Sequence, residues 1–567
     1  MKKLFIYFIF LSIVTSCSDS FLDRPPLDAT SEESYWRSSQ DLENYIVQFY
    51  EDFPTHLDYQ NGNGYNIRDA DNAIVGTPNS ILNGERGSVG GTWRSDWTRI
   101  RAVNLFFDNY ERCEDDYEVY KSIVGEAHFF RARYYFELVK KYGDVAWYDS
   151  ELSPNDTELL TKPREPRTVI VDHILADLDQ AVDILKFKSE VGNNRINKEM
   201  ALAFKTRIAL YEGTWQKYHA NTIFGTPSAD PNKYFQACVD AAEELINNGD
   251  YQVGLHNDYY EMFGLDDMNS VDEILFCRSF SLADGVGNDM QYATINNPNE
   301  VGVTWSLVTS YLDKEGHPYD YLEVANTTKG NAFLSKIAVD IDPRLHASVW
   351  APGDLWIAKD NLNFDKPQIT GSGLSLNTTG FQLKKGSNPH SPGAGLGGRY
   401  SETGYILFRY GEVLLNYAEA LNELNGQIAY TELNQLRARI GMPEFTVQPQ
   451  SADPNLLDYG YPISDALYEI RRERRVELAL EGLRSMDYMR WAAHALFKNK
   501  RPKGYPFSEE DFPDYTTKVK LDENGLIDFF QTAIPNGYQF RENQDYLSPI
   551  PTTELTLNKN LVQNPGW

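Results

Sequence analysis

The chain has 567 residues, with 53 Lys and Arg against 82 Asp and Glu, a net charge of −29 and a pI near 4.7. That balance excludes nucleic acid as a partner, because phosphate recognition needs a basic surface, and it excludes charge-driven docking on anionic lipid. Hydrophobic content of 41% with 24% charged residues is globular, with length enough for a large core, and an acidic surface favours neutral ligands.

The N-terminus reads as an export signal over residues 1–16. Lys2 and Lys3 precede an apolar run over 4–14, then Thr15 and Ser16. The run is shorter than the roughly 20 apolar residues of a membrane span. Cys17, directly after Val14-Thr15-Ser16, makes the segment resemble a bacterial lipobox, which implies cleavage before Cys17 and its acylation. Acyl chains at about 0.8 kcal/mol per buried CH₂ hold such a protein on a membrane. Residues 17–30, with Pro25 and Pro26, read as an extended lipid-anchored tether. The remaining cysteines, Cys113, Cys238 and Cys277, are odd in number with no CxxC spacing, so no disulfide framework is expected.

A single domain is expected over 31–567. Ser31 reads as the N-cap of a first helix carrying Tyr35, Leu42, Tyr45, Ile46 and Phe49. Residues 54–92 are rich in glycine and read as a long loop, the kind of segment where binding residues concentrate. Apolar stripes at helical spacing then cover 125–142 (Ala127, Phe130, Tyr134, Leu138), 169–185 (Ile170, Ile174, Leu178), 201–211 (Phe204, Ile208) and 235–245 (Phe235, Ala242). They recur about every 30 to 43 residues, compatible with stacked tetratricopeptide-like helix pairs of about 34. Further helices are expected over 411–424 and 465–491. Between 255 and 405 the helical signal gives way to Gly, Pro, Asn and aromatic residues. The expected fold is therefore mainly α, a helical scaffold over about 31–250 and 405–567 with a large irregular, loop-rich insertion over about 255–405.

No phosphate-binding loop, GxSxG elbow or HExxH is present, so no cofactor, metal or catalytic residue is expected. Carboxylate pairs for a surface glycoside hydrolase can be drawn almost anywhere among 82 acidic residues and select nothing without geometry. Asp69-Ala70-Asp71-Asn72 begins like a calcium loop but lacks its turn glycine and closing Glu. The run Arg471-Arg472-Glu473-Arg474-Arg475-Val476-Glu477 reads as a helix laced by ion pairs, a structural role. Rings inside helical stripes belong to the core. Tyr65, Trp93, Tyr292, Trp305, Trp350 and Trp356 instead stand among Gly, Pro, Asn and Asp. Such rings can stack on the apolar faces of sugars, with Arg68, Asp69 and Asp71 as partners for hydroxyl groups.

Six blocks carry a resemblance: CSDSFLD from Cys17, GEAHFFRARYYFELVKKYGDV over 125–145, RYGEVLLNYAEALNEL over 409–424, LNQLRARIGMP over 433–443, RRERRVELALEGLRSMDYMRW over 471–491, and the ending SPIPTTELTLNKNLVQNPGW. In this order they resemble the SusD/RagB family of Bacteroidetes outer-membrane lipoproteins. The resemblance implies a non-enzymatic, tetratricopeptide-containing binding protein at the cell exterior. Such a protein lies over a SusC-like TonB-dependent transporter and passes it a captured oligo- or polysaccharide, or in some members a peptide. It implies a ligand site in variable loops, namely the loop before the helix of Trp97 and the insertion. Trp305 stands where the family more usually carries a polar residue, which adds to its interest. A peptide or glycopeptide binder of the same system remains an alternative reading.

Overall fold

The computed structural model describes residues 35–56, 70–89, 91–515 and 519–567. The signal segment, Cys17, the tether and Ser31 lie outside them. The first helix, α1 (Ser39–Val47), is capped by Ser38. The Ser38 hydroxyl accepts the Asp41 N–H while the Asp41 carboxylate accepts the Ser38 N–H, a reciprocal box that fixes the helix start.

Five longer helices follow: α2 (Trp93–Phe107), α3 (Tyr117–Tyr142), α4 (Arg167–Ile184), α5 (Lys198–Tyr218) and α6 (Pro231–Asn247). Helix α3 packs against α4, α4 against α5, and α5 against α6, so consecutive helix pairs stack as the spacing predicts. The apolar stripes lie in one large core with Phe129, Phe130, Phe136, Ile174, Phe204 and Phe235. At Gly213 of α5 an added Cβ would stand 2.7 Å from the Phe235 ring of α6, so glycine sets how closely these two helices approach.

The insertion is more ordered than its composition suggests. It contains α7 (Gly330–Asp340), 11 residues long, and α8 (Pro343–Ser348), six residues long; α8 falls below, and α7 only just reaches, the window of about 11 residues over which a helical period becomes legible. Three two-stranded antiparallel ladders serve it. Strand β1 (Ala73–Ile74) pairs with β3 (Gly302–Val303), and β4 (Leu355–Ile357) forms a hairpin with β5 (Leu362–Asn363). Strand β2 (Ile274–Arg278) pairs with β6 (Tyr405–Arg409), Ile274 opposite Arg409, which draws together the two ends of the insertion. A second hydrophobic core forms here around Val303, Phe333, Ile337 and Phe381. Tyr505, Phe507 and Ile527 join it, so the stretch around 505–527 packs with the insertion although it lies in the span read as scaffold.

Beyond the insertion come α9 (Tyr410–Asn425), α10 (Tyr430–Arg439), α11 (Asp465–Glu477) and α12 (Arg484–Arg490). The single helix expected over 465–491 is thus two, parted where Leu480 and Gly482 adopt φ of 64° and 78°. The charged run forms most of α11 and is structural, as expected, yet it is buried rather than solvated. Its partners stand on other elements. Arg471 pairs with Glu423 of α9 (3.2 Å), Arg474 with Asp487 of α12 (2.9 Å), and Glu473 with Arg344 of α8 (2.5 Å) and Arg437 of α10 (2.9 Å). Among the described residues, Arg472–Glu469 is the one ion pair made inside the helix. Helix α11 is thereby a charged axle joining scaffold and insertion. No helix among the described residues is long and apolar enough to cross a membrane.

Candidate functional site

Tyr65, Arg68 and Asp69 fall outside the described residues, but both flanks of 57–69 are fixed. On one side the His56 carbonyl accepts the Asp289 N–H at 3.0 Å, and the His56 ring meets the Gly404 carbonyl at 3.1 Å. On the other, the Thr304 hydroxyl donates to the Asp71 carbonyl at 2.6 Å, the Thr304 N–H donates to the Asn72 carbonyl at 3.0 Å, and β1 enters its ladder with β3. The two flanks therefore meet the insertion at either end of 289–304, the stretch that carries Tyr292 and leads directly into Trp305.

Asp71 is not a partner for sugar hydroxyls. It is buried, with its carboxylate shared between Arg484 (2.8 Å) and Arg475 (3.1 Å). Burial alone would push this carboxyl up, but the two guanidinium groups outweigh it and hold the group well below the usual carboxylate range. The same pairing removes Asp71 from any calcium loop. Its role is to clamp the flank of 57–69 onto α11 and α12.

Tyr292 opens a wide helical turn, Tyr292–Asn296, and is half-buried. Within that turn the Thr294 and Ile295 carbonyls accept the indole N–H groups of Trp350 (2.9 Å) and Trp356 (3.0 Å). The structure thus gathers two of the sequence-predicted rings, Trp350 and Trp356, into one cluster with Phe364 beside the turn that Tyr292 opens. They differ in access. Trp350 is fully buried, stacked at 5.7 Å on Phe364 with the Lys384 ammonium over it, and it cannot meet a ligand. The expectation fails because the insertion owns a small core of its own, formed by Ile295, Trp350, Phe364 and Ala394. Trp356 remains half-exposed, edge-on to Phe364 at 5.7 Å, with Leu355 and Leu362 exposed on the same hairpin.

Trp305 begins the helical turn Trp305–Val308, which the Thr304 side chain caps. Its ring lies nearly parallel to Phe333 at 5.8 Å and edge-on to Tyr321, so the second core holds it from behind while it stays half-exposed. Its indole N–H has no partner among the described residues.

Trp93 lies elsewhere. It is 7% exposed and packs edge-to-face on Trp97 and Tyr142. It forms the back wall of a cavity of about 580 Å³ whose more exposed lining includes Trp97, Arg101, Tyr148, Leu160 and Leu557. The sequence reading did not single out Trp97 or Tyr148. The legible signal was the i, i+4 spacing of Trp93 and Trp97, which puts both on one helix face. Beside its three rings, Trp93, Trp97 and Tyr148, this cavity is lined by leucines and basic side chains.

A mainly α scaffold of stacked helix pairs bearing one ring-rich insertion defines the class, a SusD-like fold. The chain belongs to the SusD family, whose profile matches residues 272–567, and a profile described as starch-binding associating with outer membrane matches 21–210. It is 24% identical to SusD-like protein P2 of Formosa agariphila, with all of both chains covered. Its fold is similar to a SusD-like carbohydrate-binding protein of Bacteroides fragilis, at 21% identity and TM-score 0.72, covering 93% of this chain and 100% of that one. It is also similar to a laminarin-binding SusD-like protein, at 19% identity and TM-score 0.59, covering 94% and 100%.

Proposed function

We propose that this protein captures an oligo- or polysaccharide through the partly exposed rings of Tyr292, Trp305 and Trp356 and passes it to a SusC-like TonB-dependent transporter. It does so from the outer membrane, facing the cell exterior, held by acylated Cys17, and it performs no chemical step. The observation that carries this reading is the mounting of Trp305 and Trp356. Each ring is braced from behind by a phenylalanine, Phe333 or Phe364, and half-exposed in front. Rings fixed before a ligand arrives lose little entropy when a sugar stacks on them, and the unpartnered Trp305 N–H supplies a donor for a hydroxyl or ring oxygen. The strongly acidic chain suits a neutral glycan. Similarity to a carbohydrate-binding and a laminarin-binding SusD-like protein supports the same ligand class. Modest affinity for one segment rises with a repeating polymer through effective concentration.

Affinity electrophoresis of the Cys17→Ser protein against a panel that includes laminarin and starch tests the ligand class. Retardation by at least one glycan is expected, with the effect weakened in Trp305→Ala and Trp356→Ala. Mobility unchanged across the whole panel would overturn the proposal.

A further inference from the structure

The cavity behind Trp97 does not share the character of the insertion face. Leu160 is 45% exposed and Leu557 76% exposed on the cavity lining. Lone exposed apolar residues need no explanation, but a group around a cavity does. The lining carries four basic side chains, Arg94, Arg101, Lys162 and Arg164, against one carboxylate, Glu554, in a protein whose net charge is −29. Arg101 is shared with Glu151 and Lys162 with Glu165, and Arg164 is spent on backbone and Asn564 oxygens. Arg94 is exposed and makes no ion pair among the described residues. The cavity therefore suits an occupant that is apolar in the middle and acidic at its flanks.

The chain itself carries such a segment. Residues 18–34 hold Phe21, Leu22 and Leu27 among Asp19, Asp23, Asp28, Glu32 and Glu33, with Arg24 as the one basic residue. The first described residues join the body on α2, the helix that also carries Trp97. The Tyr35 ring lies 6.5 Å from that of Tyr45, and the Tyr45 hydroxyl donates to the Ala102 carbonyl at 2.9 Å, next to Arg101 on the rim. The Trp36 ring lies 6.2 Å from that of Phe106, and from Phe106 back to Trp97 along α2 is about 14 Å at 1.5 Å per residue. The residues between Leu22 and Tyr35 can span up to about 40 Å. The chain before Tyr35 is therefore long enough for Phe21 and Leu22 to span the distance to the cavity.

We propose that residues 18–27 dock in this cavity, with Phe21 and Leu22 against Trp97, Leu160 and Leu557 and the flanking Asp19 and Asp23 facing Arg94. Cys17, four residues before Phe21, then emerges at the cavity mouth. The tether becomes a strap that turns this face toward the membrane and sets the orientation of the whole molecule. This inference is independent of the glycan reading.

Hydrogen–deuterium exchange on the mature full-length protein tests it. Peptides covering 18–30 should exchange about tenfold or more slowly than a free chain. Leu557→Asp, at an exposed position, and Arg94→Glu should each return them to the free rate while α3 keeps its protection. Asp23→Arg should restore protection in the Arg94→Glu background. Phe21→Ser with Leu22→Ser lies outside the folded core, so it serves as a second variant should a cavity substitution disturb folding, and it too should abolish protection. Free-rate exchange in the unaltered protein would overturn the proposal, as would protection that survives every cavity substitution. Protection of the cavity lining that appears only when a transporter is added would also overturn it and assign the cavity to that partner.

Discussion

Glu477 accepts from Arg439, Arg409 and Arg344 at 2.5, 2.8 and 3.0 Å with its side chain wholly buried. Burial favours the neutral acid, yet the three guanidinium groups outweigh it and keep the carboxyl far below its ordinary range. Removing one partner of a buried ion pair costs about 3–5 kcal/mol. Glu477→Gln should therefore lower stability by that order in urea unfolding and leave glycan preference unchanged. Glu419 gives the pH dependence. Burial raises its pKa, but the charge and hydrogen bonds of Arg490, with Arg471 and Arg474, bring it down from 4.5 to about 2. A carboxyl depressed in the folded state stabilises fully above its unfolded pKa and loses that contribution as pH falls through the folded one. Near-ultraviolet circular dichroism combined with urea should show stability falling between about pH 4.5 and 2, with a shallower fall in Glu419→Gln; a flat profile over that window would contradict this assignment.

At the scale of elements, α5 and α6 test how closely the helix pairs are fitted. Gly213→Ala places a Cβ 2.7 Å from the Phe235 ring, and overpacking of this kind costs about 1–3 kcal/mol. The melting temperature should fall while binding at the insertion is retained. Long helices were legible because their stripes repeat over several turns, as at Ile170, Ile174 and Leu178. The break inside 465–491 was not, because Leu480 and Gly482 turn the chain where the charge pattern runs on. The destination of the α11 charges was equally hidden. Arg475 meets Asp71, 404 positions away, and a row of alternating charge looks the same in sequence whether it faces water or a set of buried partners.

The whole molecule joins a helical scaffold to a ring-bearing insertion through α11 and the β2–β6 ladder. Six sequence blocks and their order carried the family and the mainly α class. Which rings face outward was not legible. Trp350 and Trp356 stand in similar polar, glycine-bearing surroundings and their N–H groups bond neighbouring carbonyls, yet one is core and the other surface. Trp93 likewise follows a glycine-rich loop but proves to be a cavity wall. These distinctions make the central claim directly measurable. Calorimetric titration of the Cys17→Ser protein with the glycan that retards it should show Trp305→Ala and Trp356→Ala each weakening affinity about tenfold, while Trp97→Ala leaves it unchanged. Loss of binding in Trp97→Ala, with full affinity in the Trp305 and Trp356 variants, would contradict the account and move the glycan from the insertion face to the cavity.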